Sequence, residues 1–274
     1  MLRLVYALVV FMGLVASLTL AASVPVDAEQ KQLDVDAKYE ETVAELLSHV
    51  EAEYKQPCEM ILHGREFTFS QVWQDWSIFH NYFKSHTLRW GGGTYVDIGT
   101  NQPTVISNTI FFDKCLGWKG VCFEPQSRYH AWIKRTRGCT LVPSCVLGSD
   151  KGVVSFKGAT GGSAALKTAS TDDPEAMRCV VAKPILESLN VSSVDLLNID
   201  IEGAEPSVLR CFPFDEFKVG AVLMETALFS GADFAPLNLF FHRHNFVSAH
   251  GTHARRLART SESPLSALDC ACLR

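Results

Sequence analysis

Beyond residue 90, five short apolar segments, Thr94–Ile98, Val121–Glu124, Thr140–Val146, Val194–Ile201 and Val219–Glu225, are separated for the most part by stretches at helical spacing. Apolar residues run through each segment with little alternation, so both faces of each strand have to be covered. A parallel sheet with helices above and below it does that. An α/β chain with a mostly parallel sheet is therefore expected. One connection departs from the pattern: Gly152–Lys157 reads as an extra strand, and the small-residue stretch GATGGSAALKTAS that follows reads as a surface loop.

Upstream, Tyr39, Val43, Leu46, Leu47, Val50 and Tyr54 recur at helical spacing with carboxylates on the other face, which predicts an amphipathic helix over Asp36–Tyr54, stopped near Pro57. The segment SQVWQDWSIFHNYF predicts a second helix, capped by Ser70 and carrying an aromatic face. Before both lies Met1-Leu2-Arg3 and the uncharged run LVYALVVFMGLVASLTL, ending in Ala21-Ala22-Ser23. This is a secretory-entry segment, either a cleaved signal peptide or a signal anchor through residues 4–20. Either form places the main domain in the secretory pathway, secreted or tethered on the lumenal or extracellular side. The chain divides into residues 1–23 as that segment, 24–69 as a helical lead, 70–262 as the main domain and 263–274 as a cysteine-containing tail.

The nine cysteines suit an oxidising compartment but form neither a CxxC pair nor a zinc pattern. Cys115, Cys122, Cys139, Cys145, Cys179 and Cys211 lie in or beside apolar segments and read mostly as small hydrophobes of the core. Cys58, Cys270 and Cys272 fall outside it, which suggests a disulfide from the tail to the N-terminal segment. Asn190-Val191-Ser192 is a glycosylation sequon. A formal net charge of −5 without a long basic run gives no reason to expect nucleic acid.

The first strand ends in YVDIGTNQP, at the position where an open parallel sheet cradles its ligand. Gly99 permits a positive φ or close backbone approach, Asn101 tolerates the left-handed region, and Pro103 suits the first turn of a helix continuing through Val105, Ile106, Thr109, Ile110 and Leu116 to Gly117. A pyrophosphate loop needs three glycines, and this one has a single glycine. S-adenosylmethionine carries no phosphate; its ammonium and ribose hydroxyls call for carboxylates, and Asp97 stands just before the glycine. Glu124, at the end of the next apolar strand, can accept from both hydroxyls of a ribose. The fourth strand surfaces in Asp200-Ile201-Glu202-Gly203-Ala204-Glu205, and burial of Asp200 would raise its pKa toward that of a working base. Glu205 reads equally well as a charge on a helix N-terminus. Glu225 ends the fifth strand.

Taken in order, SQVWQD, YVDIGTN, SNTIFFDKCLGWKGVCFEP, a V-x-S-F strand after Gly152, and LLNIDIEGAEPSVL resemble the FkbM family of S-adenosylmethionine-dependent methyltransferases, from about Ser70 to Glu225 and more loosely to Phe240–His250. The resemblance implies a Rossmann-like class I methyltransferase fold with seven strands. It also implies methyl transfer, typically to a hydroxyl of a sugar or other small or glycan acceptor. Asp97, Gly99, Thr100 and Asn101 fall on the cofactor loop and Glu124 on the ribose acid, while Asp200, Glu202 and Gly203 fall on the D-x-E-G block of the acceptor side. Three departures stand out: Gln102-Pro103 where the family often has D-G, Trp73 for a glycine, and Asn198 for a lysine. No acid directly follows the third strand, where Ser144 and Cys145 stand; Asp150 is the later candidate for the adenine amino group.

The mechanism that follows has Asp200 or Glu202 taking the acceptor proton, with Glu225 at the same edge and no metal assigned. His242, His244, His250 and His253 are competing bases. The rival reading from another class is a secreted or tethered binding protein that kept the fold without transfer chemistry. A nicotinamide oxidoreductase is a third.

Overall fold

The computed structural model describes residues 26–85, 92–148, 153–155, 167–168, 176–225, 231–244 and 246. Its centre is a five-stranded parallel sheet of β1 (Thr94–Ile98), β2 (Lys119–Phe123), β3 (Thr140–Val142), β7 (Ser193–Ile199) and β8 (Lys218–Met224), in the order β3-β2-β1-β7-β8. The described residues thus supply five of the seven strands expected. All five lie where the apolar runs predicted them, within a residue or two at their starts. The third is shorter than expected, because Pro143 ends it after Val142. β4 (Val153–Ser155), β5 (Lys167–Thr168) and β6 (Met177–Arg178) form a separate antiparallel sheet, ordered β5-β4-β6. Lys167–Thr168 belongs to the stretch read as loop; pairing with the extra strand makes it a short strand instead.

Both faces of the parallel sheet are covered, as continuous apolar strands require. One face packs Tyr95, Cys122 and Leu196 against Tyr39, Tyr54, Ile61, Phe79, Phe83 and Phe111 of the N-terminal half. The other packs Val96, Ile98, Phe123 and Leu197 against Leu186, Val208, Leu209 and Phe212, with Phe240 and Phe241 at the margin.

The lead segment forms two helices, Val26–His49 and Ala52–Leu62, where one was expected. Pro57 lies inside the second and does not stop it. Glu53, the residue four before it, is exposed, so water can take the carbonyl that the missing N–H would have bonded, while Cys58, Ile61 and Leu62 gain full burial by continuing. The Ser70 segment also differs from expectation. Its helix starts at Gln74 and passes into a π-helical turn at Phe79–Phe83. Ser70 Oγ donates to the buried Asp75 carboxylate at 2.7 Å, which also accepts from Phe69 N at 2.8 Å and from Thr68 Oγ1. Asp75 folds the preceding loop back on itself, and Trp73 takes a left-handed φ of 68°.

Three disulfides join Cys58 to Cys115, Cys122 to Cys139 and Cys145 to Cys179, with Cα separations of 5.3, 5.8 and 4.6 Å. Five of the six cysteines read as core residues are therefore cystine halves. Cys58 is bonded to Cys115 and so is not the anchor for the tail. Period alone cannot show this, because a buried thiol and a buried cystine occupy the same apolar positions. Cys270 and Cys272 lie outside the described residues, as does the apolar run at 4–20. No helix among the described residues is long and apolar enough to cross a membrane.

Under the first loop sits a polar layer built on Arg137, whose side chain is fully buried. Its Nε donates to Asp113 Oδ2 at 2.6 Å, and its terminal nitrogens donate to Thr109 Oγ1 at 2.7 Å, Tyr95 Oη at 3.1 Å, Ser107 Oγ at 3.3 Å and the Pro103 carbonyl at 3.4 Å. Burial raises the Tyr95 phenol far above its ordinary value, so it stays a donor to Asp113 Oδ2, at 2.9 Å. Every donor of the guanidinium fork is directed at an acceptor, and these lie on three separate stretches of chain, which is what keeps a buried cation tolerable. Removing one side of such a pair costs about 3–5 kcal/mol. Arg137→Met is expected to destabilise the protein by about that amount in urea unfolding, and combining it with Asp113→Leu is expected to return part of the loss.

Candidate active site

Because β1, β2, β7 and β8 run parallel, their carboxyl ends share one edge, and the residues directly after them are Gly99, Glu124, Asp200 and Glu225. Each extends the backbone ladder by one step. Gly99 donates to the Phe123 carbonyl at 3.0 Å, Glu124 to Val142 at 3.1 Å, Asp200 to Ile98 at 3.0 Å and Glu225 to Ile199 at 3.0 Å. The sheet therefore places three carboxylates in a row, interrupted by one glycine.

The turn after β1 depends on that glycine. Gly99 has φ +89°, and a Cβ there would collide with the Asp200 carbonyl oxygen. Asn101 also lies in the left-handed region, at φ 51°. Its N–H donates to Glu124 Oε2 at 2.6 Å, and the Gln126 N–H donates to Oε1 at 2.7 Å. Glu124 is 1% exposed, and burial pushes its carboxyl up to about 7 even though both backbone N–H groups favour the charged form. A carboxylate has about four acceptor positions, so a pair of adjacent hydroxyls could still be received. Together, the bare glycine turn and the pinned carboxylate fit a ribose.

Asp97 lies beneath this turn. It is 2% exposed, and its carboxylate accepts from Thr109 Oγ1 at 2.6 Å and Asn198 Nδ2 at 2.8 Å, with Arg137 Nη1 at 3.8 Å. In this arrangement Asp97 holds the loop from below. Thr100, 5% exposed, closes the turn through Oγ1 to the Asp97 carbonyl at 3.3 Å. The helix expected from Pro103 onward begins only at Ile110: residues 101–109 form bends, and Ile106 has φ 57°. Arg137 takes up the Pro103 carbonyl and Ser107 Oγ there, while Val105 and Ile106 are left exposed. Gly117 ends the following π-helical turn at φ 64°, as a C-terminal glycine should.

On the other side of Gly99, one oxygen from each of Asp200, Glu202 and Glu225 lies within 4.8 Å of the other two. Burial, and then the neighbouring charge of Glu225, raise the Asp200 carboxyl well above the usual carboxylate range; burial followed by the same neighbour raises Glu202. Glu225 Oε2 is itself buried without a hydrogen-bond partner among the described residues. Such a trio can share a proton, accept one from a hydroxyl, or offer one oxygen each to a divalent cation. Glu202 and Gly203 occupy positive φ of 56° and 104°, and the buried Glu205 carboxylate fixes that turn by accepting from Ile201 N at 2.9 Å and Gly203 N at 2.9 Å. Glu205 is thus a structural acid of the loop.

Asp150, His250 and His253 lie outside the described residues. His244 stacks on Phe214 and Phe240 and sits 3.4 Å from Asp215, which precedes β8 and so belongs to the opposite edge from Glu225. Of the residues that sequence reasoning passed over, Arg137 and Asn108 matter most. Asn108 Nδ2 reaches Asn198 Oδ1 at 3.2 Å and Asp200 Oδ2 at 3.5 Å, linking the loop to the acids. Arg137 had no distinguishing signal, because KRTRG reads as the solvated basic end of a helix.

Residues 97–248 match the family described as Methyltransferase FkbM domain, more than half of the chain and all of the edge just described. The chain belongs to the FkbM methyltransferase family. It is accordingly a methyltransferase, with the α/β architecture that the resemblance implied. No curated protein and no solved structure matches it significantly. Within the matched region, the Gly99 turn and the Asp200–Gly203 turn touch where the Asp200 carbonyl faces Gly99. Gly99→Ala is expected to lower the urea midpoint, with about 1–3 kcal/mol from backbone strain alone and the collision with Asp200 added to it.

Proposed function

We propose that this methyltransferase uses S-adenosylmethionine, held across Gly99–Asn101 and Glu124, to methylate a hydroxyl oxygen of a sugar or other small or glycan acceptor. The observation that carries the reading is the contiguity of a ribose-sized acceptor, Glu124, with a proton-accepting trio, Asp200, Glu202 and Glu225, on either side of one glycine turn.

The donor, when bound, supplies a methyl group already activated on a sulfonium. The chain's task is alignment and removal of one proton. Glu124 is pinned from two sides and so presents its free lone pairs in a fixed direction. Asp200 and Glu225 stand two strands and three strands away, and burial together with the neighbouring Glu225 charge raises the Asp200 carboxyl so that it takes up a proton near neutral pH. An acceptor hydroxyl bonded to that pair loses its proton as its oxygen gains the methyl. Alignment supplies much of the rate, and base catalysis on the order of 10²–10⁴ more. Exposed apolar side chains on two loops, Val72 and Trp73 on one and Val105 and Ile106 on the other, the second of which reaches Asp200 through Asn108, support an acceptor with a flat or apolar face. The loops are tied together by the Ser107 N–H on the Phe69 carbonyl at 3.0 Å.

Calorimetric titration of the protein with S-adenosylmethionine, its demethylated product and NAD is expected to give binding of the first two only, lost in Glu124→Ala. Binding of NAD instead would move the reading to a nicotinamide enzyme, and binding of none to folded protein would favour a non-catalytic binding module. The pH profile supplies a second check. The base must be unprotonated to act, so kcat/KM is expected to fall as pH drops below the raised Asp200 value. Glu225→Gln removes the neighbouring charge and should move that limb to lower pH, while Asp200→Asn should cost at least about 10²-fold in kcat.

A further inference from the structure

We propose that Asn190 carries an N-linked glycan, placed on the edge of the molecule opposite the methyl-transfer site. The sequon Asn190-Val191-Ser192 is the only one in the chain, and two independent structural observations make it competent. The first is exposure. Asn190 and Ser192 are both exposed, in the turn between the helix Ala182–Ser188 and β7. That turn is held by its backbone, through Asn190 N–H on the Glu187 carbonyl at 3.0 Å and Val191 N–H on the Leu186 carbonyl at 2.9 Å. Asn190 takes a left-handed φ of 56°, which asparagine tolerates. Its side-chain amide makes no hydrogen bond among the described residues, so its nitrogen is available without breaking any part of the fold.

The second observation concerns compartment. The three cystines described above join the helix Ala52–Leu62 to the π-helical turn at 111–115, β2 to the residue before β3, and Cys145, beyond β3, to Cys179, next to β6, so oxidation is built into the lead segment and the sheet region alike. Cystines of this kind form in oxidising compartments, and the eukaryotic member of that class is where Asn-X-Ser acceptors are glycosylated.

In the covalent step, the Asn190 side-chain nitrogen displaces the pyrophosphate of a lipid-linked oligosaccharide donor at C1 of its first sugar. A C–N bond forms, the C1–O bond breaks, the lipid pyrophosphate leaves and the amide gives up one proton. The host's transferase provides the catalysis.

Placement gives the proposal a functional side. Asn190 precedes β7 and Asp200 follows it, so the seven residues of the strand separate them by roughly 20 Å or more. Shallow depressions flank the turn, one bordered by Glu187, Glu216 and Phe217 and the other by Thr94, Lys119 and Thr140, so a glycan would cover surface where none of the candidate catalytic acids lies.

The test is expression of the full chain, with its own N-terminus, in a eukaryotic secretory host. Digestion with peptide N-glycosidase is expected to produce a single mobility step and to convert Asn190 to Asp in the peptide map. Asn190→Gln and Ser192→Ala should each remove the step, and Ser192→Thr should keep it. An unmodified Asn190 in protein whose three cystines have formed would overturn the proposal. So would recovery of the protein reduced and unmodified from the cytosol, because that removes the compartment on which it rests.

Discussion

The guanidinium of Arg137, taken wholly out of water, is the interaction on which the geometry of the loop edge depends. It sits just after the helix Ser127–Thr136, yet it binds groups on β1, on the π-helical turn at 111–115 and on the bends at 103–109. A buried cation imposes a strict condition: each donor needs an acceptor, and each acceptor has to be held in place by something else. Asp113 meets that condition through the Gly138 N–H and the Tyr95 hydroxyl, and Asp97 through Thr109 and Asn198. The cystine between Cys122 and Cys139 closes the same region covalently, two residues from Arg137. The loop that follows β1 is therefore supported from beneath by charge rather than by apolar packing. Residues 101–109 can then forgo helix formation and still be ordered.

What rests on that base is a single edge with two kinds of carboxylate. Glu124 is bonded by two backbone N–H groups and is rigid; Asp200 and Glu225 face each other and repel. Burial raises Glu124 and Asp200 alike, but their neighbours differ, so one is suited to receive hydroxyl donors in a fixed direction and the other to take up a proton. The division of labour arises from register. Ile98, Phe123, Ile199 and Met224 end their strands at the same level, and the next residue of each is set at the surface.

The strands, their order of appearance and the acids at their ends were legible in the sequence, because a strand buried on both faces must be apolar throughout and a polar residue at its end marks where it surfaces. Elements whose form depends on distant partners were not. Pro57 is tolerated because its helix lies half in water, and Ser70 serves Asp75 instead of capping a helix. Val105 and Ile106 have the spacing of a buried helical face but are exposed, because Arg137 takes the carbonyl and hydroxyl around them. The cysteines show the same limit: apolar flanks indicate burial, while pairing depends on which positions meet in space.

By itself the sequence determined the fold class, the family and the identity of the groups at the sheet edge, since these follow from local composition and from order along the chain. The tertiary structure decided which acids face one another and which are spent on holding loops. Asp97 and Asp200 each end an apolar strand and look alike in sequence. Asp97 lies opposite Asn198 in register and above Arg137, and is consumed there. Asp200, one residue past the end of β7, meets Glu225 instead and keeps a proton to exchange. The difference is two residues in register, and only pairing between strands far apart in the chain can set it.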